Sequence, residues 1–158
     1  MKKSIFLSCL FGVFISNMVG FLSSFATQSS VNNWYKYLNK PFFNPPDWVF
    51  MPVWIILYFL MGIAFGIFFY HSFEKKTQRL GIIAFSLQLF FNGMWSFVFF
   101  GLKNILLGLG TIIILLVTII FCIKQFKKVS MFSSYLMFPY LFWVVFATIL
   151  NISILIKN

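Results

Sequence analysis

The chain reads as an all-α membrane protein, a five-transmembrane-helix bundle, and three observations point there. Of its 158 residues, 61% are hydrophobic and only 9% are charged, which is more apolar side chain than a water-soluble domain of this size can hide. The apolar residues fall in five runs separated by breaks that carry charge or proline, and each run is long enough to cross a hydrocarbon core of roughly 30 Å as a helix. The runs are far too long for barrel strands, and in lipid every backbone polar group needs a partner within the protein, which a helix supplies to itself.

The first helix is expected at residues 5–27. Met1-Lys2-Lys3, the apolar run after it and Ser24-Phe25-Ala26 have the layout of a signal peptide, but the run is about 20 residues long, a full span. An ordered loop follows at 28–46, stiffened by Pro41, Pro45 and Pro46. The second helix is expected at 47–71, with Asp47 behind Pro45-Pro46 favouring the positive end of the helix. The third is expected at 80–102, the fourth at 105–124 and the fifth at 131–156, where Pro139 loosens the local backbone. One domain, 1–158, is expected, because the sequence has no linker, no low-complexity segment and no internal repeat.

Twelve Lys and Arg against two acids give a net charge of +10. The cations sit in the short breaks, so they read as orientation signals and lipid headgroup contacts, not as a nucleic-acid surface. An inside amino terminus groups Lys2, Lys3, Lys75, Lys76, Arg79, Lys124, Lys127 and Lys128 on one side, against Lys36, Lys40, Lys103 and Lys157 on the other. The positive-inside rule then places the amino terminus in the cytoplasm. Absence of a presequence and a chain rich in Phe, Ile, Lys and Asn fit a bacterial cell membrane.

Three helix faces combine aromatic, small and polar residues. Phe50, Trp54 and Tyr58 recur every fourth residue on the second helix, Gln88, Asn92 and Ser96 with Trp95 lie on the third, and Tyr140, Trp143, Ala147 and Asn151 lie on the fifth. Polar groups in hydrocarbon need partners, so these faces serve either interhelical hydrogen bonds or the polar edge of a cavity. Together they suit a central pocket for a flat hydrophobic ligand held by π faces and a few hydrogen bonds. Small residues form further stripes: Ser8, Gly12, Ser16, Gly20 and Ser24 on the first helix and Gly62 with Gly66 on the second. Such stripes permit close approach either within one chain or to a second protomer.

The absent groups exclude several chemistries. Asp47 and Glu74 are the only acids, both at expected helix ends, and the lone His71 sits at a boundary. No carboxylate stands at mid-membrane, which argues against a proton-coupled antiporter and a carboxylate-pair hydrolase. One interfacial His builds neither a Ser-His-Asp triad nor a haem site. Cys9 and Cys122 lie in apolar runs without metal-binding spacing and read as small buried hydrophobes, so no metal site is expected.

Three blocks in one order carry a resemblance. They are Trp34-Tyr35-Lys36-Tyr37-Leu38-Asn39-Lys40-Pro41 through Pro45-Pro46-Asp47-Trp48 to Trp54 and Tyr58, then Phe91-Asn92-Gly93-Met94-Trp95-Ser96 with Phe99-Phe100-Gly101, then Pro139-Tyr140-Leu141-Phe142-Trp143 with Phe146-Ala147-Thr148-Ile149-Leu150-Asn151. In these the chain resembles the translocator protein family, also known as TspO/MBR or tryptophan-rich sensory proteins and as peripheral benzodiazepine receptors. The resemblance implies a five-helix protein, commonly a homodimer, that requires no cofactor. Its members bind porphyrins such as protoporphyrin IX, sterols in animals, and synthetic benzodiazepine or isoquinoline carboxamide ligands. Carried to matching positions, the family pocket beneath the first loop would be lined by Tyr35, Pro45, Trp54, Asn92, Trp95, Ser96, Trp143, Phe146 and Ala147. Light-dependent porphyrin breakdown, linked to some bacterial members, would make Trp54 and Trp143 the tentative catalytic residues. The family's sterol motif needs a Tyr that the segment Leu150 to Lys157 lacks.

The function expected is therefore a receptor or transporter-like membrane protein that binds porphyrin for tetrapyrrole sensing, transport or photo-oxidative breakdown. A small-metabolite or multidrug transporter using the same cavity, or a structural assembly partner in the membrane, is the alternative.

Overall fold

The structure, a computed structural model, describes residues 4–158. Five spans are long and apolar enough to cross a membrane. The helices are α1 (Ile5–Val31), α2 (Asp47–His71), α3 (Lys75–Ser96), α4 (Ile105–Lys127), α5 (Met131–Tyr135) and α6 (Phe138–Lys157), with no strand among the described residues. Lys2 and Lys3, counted above for the orientation, lie outside the described residues.

Several boundaries differ from the sequence expectation; α4 runs to Lys127 and not 124, and the last helix to Lys157 and not 156, exposed lysines continuing each helix past its apolar run. The first helix runs on to Val31, so the loop is 32–46 and not 28–46. Ser30 explains the extension: it is buried, and its hydroxyl donates to the Phe100 carbonyl at 2.5 Å, tying the last turn of α1 to the third span. The third helix begins at Lys75 rather than 80 and is α-helical only to Ser96, after which Phe97–Gly101 form a wider π turn. The cations Lys75, Lys76 and Arg79 are exposed and so continue the helix beyond the apolar run. The expected helix 131–156 is two helices, α5 and α6. The break falls just before Phe138 and Pro139, where proline lacks the N–H that an unbroken helix would use.

The π turn resolves sharply into α4. Leu102 N–H donates to the Phe97 carbonyl at 2.8 Å, Lys103 adopts a left-handed φ of 54°, and the Asn104 side chain caps α4 by accepting from Leu107 N–H at 2.9 Å. Other serines of α1 bond back within the helix, Ser16 Oγ donating to the Gly12 carbonyl at 2.9 Å and Ser23 Oγ to the Val19 carbonyl at 2.7 Å.

The small-residue stripes turn out to pack within the chain. Gly12 of α1 lies against the Gly62 carbonyl of α2, and a Cβ at Gly62 or Gly66 would strike the α1 backbone at Val13 or Cys9. This contact closes α1 onto α2, and α3 then packs on both α1 and α4, with α6 against α4. The end of the bundle where α4 turns into α5 is tied to α2 by Ser133 of α5, whose hydroxyl donates to the Ala64 carbonyl at 2.6 Å. Between α2 and α6 the backbones approach each other little, and aromatic side chains fill the interval.

Candidate functional site

Where the backbones of α2 and α6 part, aromatic side chains pack into the cleft between the two helices, above a buried polar bridge. On α2, Phe50 meets Trp143 of α6 edge to face with centroids 6.0 Å apart, and Trp54 lies 5.6 Å from Tyr58 and 6.2 Å from Tyr140. On α6, Trp143 and Phe146 are 5.5 Å apart, and Phe146 is met from the loop by Phe43 at 6.3 Å. Phe50, Trp54, Trp143 and Phe146 are half-buried, whereas Tyr58 and Tyr140 are buried beneath them.

Asn92 of α3 forms the floor. The Tyr58 hydroxyl donates to its Oδ1, and its Nδ2 donates to the Tyr140 hydroxyl at 2.8 Å. One buried carboxamide thereby joins three helices. The bridge uses one of two amide hydrogens and one of two carbonyl lone pairs, so Asn92 keeps a donor and an acceptor. At this position the polar face serves interhelical hydrogen bonding.

The loop covering this end is ordered by its own bonds. The Tyr35 hydroxyl donates to Asn44 Oδ1 at 2.8 Å, Asn44 Nδ2 donates to the Pro45 carbonyl at 2.9 Å, and Lys40 Nζ stands 4.4 Å above the Tyr35 ring. Burial, then the nearby Asp47 carboxylate, push the Tyr35 phenol above its ordinary range, while the Asn44 hydrogen bond pulls the other way. The loop is also latched to the end of α6: Asn39 N–H donates to Asn158 Oδ1 at 2.9 Å, and Asn158 Nδ2 donates back to the Asn39 carbonyl at 3.1 Å.

The expected lining residues therefore divide. Trp54, Asn92, Trp143 and Phe146 come together in the cleft, Ala147 lies buried one turn along α6 from Trp143, and Pro45 belongs to the loop above. Tyr35 and Trp95 join a second aromatic group instead: Tyr35 packs on Phe99 and Phe100 at 6.2 and 5.5 Å, and Trp95 stacks on Phe99 at 5.5 Å. Ser96 is buried beside that group on α3. Phe50, Tyr58 and Tyr140 lie on the helix faces expected to form a central pocket but outside the lining that the resemblance implies, and Phe43 is in neither. Spacings of three and four residues already put Phe50 and Tyr58 on the Trp54 face, and Tyr140 on that of Trp143; Phe43 had no signal. Among the described residues no group of His, Cys, Asp and Glu could hold a metal ion.

A multi-pass bundle of this kind, with a tryptophan-rich cleft under an ordered first loop, defines an integral membrane protein whose only concentrated chemistry is aromatic and amide. The model of the TspO/MBR family matches residues 12–156, and the chain belongs to that family. It is similar to the tryptophan-rich protein TspO of Archaeoglobus fulgidus, 42% identical over 140 residues that cover 89% of this chain and 90% of the relative. The protein of the same name from Chlorobaculum tepidum is 41% identical over 140 residues, 89% of each chain. The translocator protein of Homo sapiens is 32% identical over 121 residues, 75% of this chain and 70% of the relative.

Proposed function

We propose that this protein binds porphyrins, protoporphyrin IX among them, and related flat hydrophobic ligands in the cleft between α2 and α6. The observation that carries this reading is the pairing of four half-buried aromatic rings, Phe50, Trp54, Trp143 and Phe146, with the buried Tyr58–Asn92–Tyr140 bridge beneath them. Ring faces stack on a planar macrocycle, and the amide and hydroxyls offer hydrogen bonds in a dry setting. Family membership supports a role in tetrapyrrole sensing or transport.

In photo-oxidative breakdown, Trp54 and Trp143 are the groups a photoexcited porphyrin would oxidise, since both indoles border the cleft. Ion-coupled transport of another metabolite is the weaker reading, because Asp47 and Glu74, the only acids, lie at helix ends. The reading includes a homodimer in a bacterial cell membrane with a cytoplasmic amino terminus.

The test is a dark equilibrium titration of the protein in lipid nanodiscs with protoporphyrin IX, followed by quenching of Trp fluorescence. Saturable quenching, absent from empty nanodiscs when porphyrin uptake is followed there, supports the site. Quenching that rises without saturation shows partition into lipid and overturns it.

A further inference from the structure

A second buried amide, Asn151, stands on α6 apart from Asn92. Trp143, Ala147 and Asn151 recur every fourth residue on α6 and so lie one above another. The stripe runs toward the end of α6 that the loop covers, and burial deepens along it, from half-buried Trp143 past buried Ala147 to Asn151, which is 1% exposed. Neither amide atom of Asn151 has a hydrogen-bond partner among the described residues, and nor does the indole nitrogen of Trp95.

These two groups share Phe99 as a neighbour. Its ring stacks on Trp95 with centroids 5.5 Å apart. Its edge and the Asn151 amide nitrogen both border Gly108, 2.9 and 3.3 Å from the point where a Cβ would sit. Phe99 belongs to the π turn, a distortion that often accompanies functional sites.

An unpartnered carboxamide in a dry interior is costly and offers a donor and an acceptor side by side. A carboxylate anion would lack a buried counter-charge there, because no Lys or Arg among the described residues is buried. A neutral carboxylic acid or a primary amide instead matches it, accepting from Nδ2 while donating to Oδ1. We propose that Asn151, together with the Trp95 indole N–H of the neighbouring Phe99 group, forms a polar subsite beside the cleft and takes a neutral carboxylic acid or carboxamide group carried on the edge of a flat hydrophobic ligand. This rests on the ligand-binding reading above and assigns to Asn151 the choice among such ligands.

The probes are protoporphyrin IX and its dimethyl ester, which keeps the macrocycle and the acceptor oxygens but loses the acid hydrogens. Both are titrated in the dark against wild type, Asn151→Leu and Trp95→Phe in nanodiscs, with thermal unfolding as the check on folding. Wild type is expected to prefer the acid, and Asn151→Leu to lose about tenfold for the acid and less than twofold for the ester. Trp95→Phe, which keeps an aromatic ring against Phe99 while removing the N–H, is expected to lose about threefold for the acid and less for the ester. Equal wild-type affinities, equal losses for both probes, or undiminished acid binding in both variants would overturn the subsite while leaving the cleft standing. Absence of saturable binding of either probe by wild type would overturn the porphyrin reading and the subsite with it.

Discussion

The Asn92 side chain on α3 donates to the Tyr140 hydroxyl on α6 at 2.8 Å, and its carbonyl oxygen accepts from Tyr58 on α2. A single amide thus fixes the position of both walls of the aromatic cleft. Replacing Asn92 by Leu keeps the volume and leaves two buried phenols without their partner. The expected result is a loss of about 1–3 kcal/mol of stability and about tenfold weaker porphyrin binding. Thermal unfolding in detergent and a nanodisc titration check the two effects, and Tyr58→Phe should show a smaller version of each.

The contact between α1 and α2 predicts opposite signs for two glycine substitutions. Gly62 has the α1 backbone where its Cβ would stand, so Gly62→Val should destabilise by about 1–3 kcal/mol. Gly110 in α4 has nothing within 4 Å of that position, so Gly110→Ala should stabilise by up to about 1 kcal/mol through helix propensity alone. Parallel melting curves of the two variants would show the packing to be wrong.

The loop over the cleft should loosen at alkaline pH. The Tyr35 phenol is raised above its ordinary value of 10, chiefly by burial and then by Asp47. The folded state therefore holds this proton more tightly than the unfolded chain. The stability it contributes is complete below pH 10 and is lost as pH rises above that value. Tyr35→Phe removes the titration along with the Asn44 hydrogen bond, so it should be less stable at pH 8 yet fall less steeply from pH 10 upward. Equal alkaline slopes for the two proteins would contradict this.

The reciprocal bonds between Asn39 and Asn158 hold the loop to the end of α6. Asn158→Ala should speed both association and release of porphyrin several-fold, with a smaller change in affinity, as expected for a cover whose closing leaves the ligand contacts intact. Stopped-flow quenching separates the rates.

Much of this was legible in the sequence, for reasons that particular residues show. The limits of α2 came directly from Pro46 and Asp47 at one end and His71 at the other. The start of α3 did not, because Lys75, Lys76 and Arg79 read as a loop when the apolar run alone marks the membrane, although they extend the same helix outward. The π turn had no signal, since Phe97 to Gly101 look as apolar as the helix before them. In the site, four-residue spacing placed Trp54 with Tyr58 and Trp143 with Ala147, but only the packing of helices could show that Asn92 lies between Tyr58 and Tyr140. Trp95, three residues from Asn92 and so rotated by about 60° around α3, turns instead toward Phe99 and Phe100.

The measurement that bears most directly on the cleft compares three tryptophans. Trp54 and Trp143 border it, whereas Trp48 is 74% exposed on α2. Protoporphyrin IX is titrated in the dark into nanodiscs carrying Trp54→Phe, Trp143→Phe or Trp48→Phe, with porphyrin absorbance reporting the bound fraction. The account predicts affinities weakened by about three- to tenfold for Trp54→Phe and Trp143→Phe, and an unchanged affinity for Trp48→Phe. Three variants indistinguishable from wild type would contradict it and place the porphyrin outside the cleft.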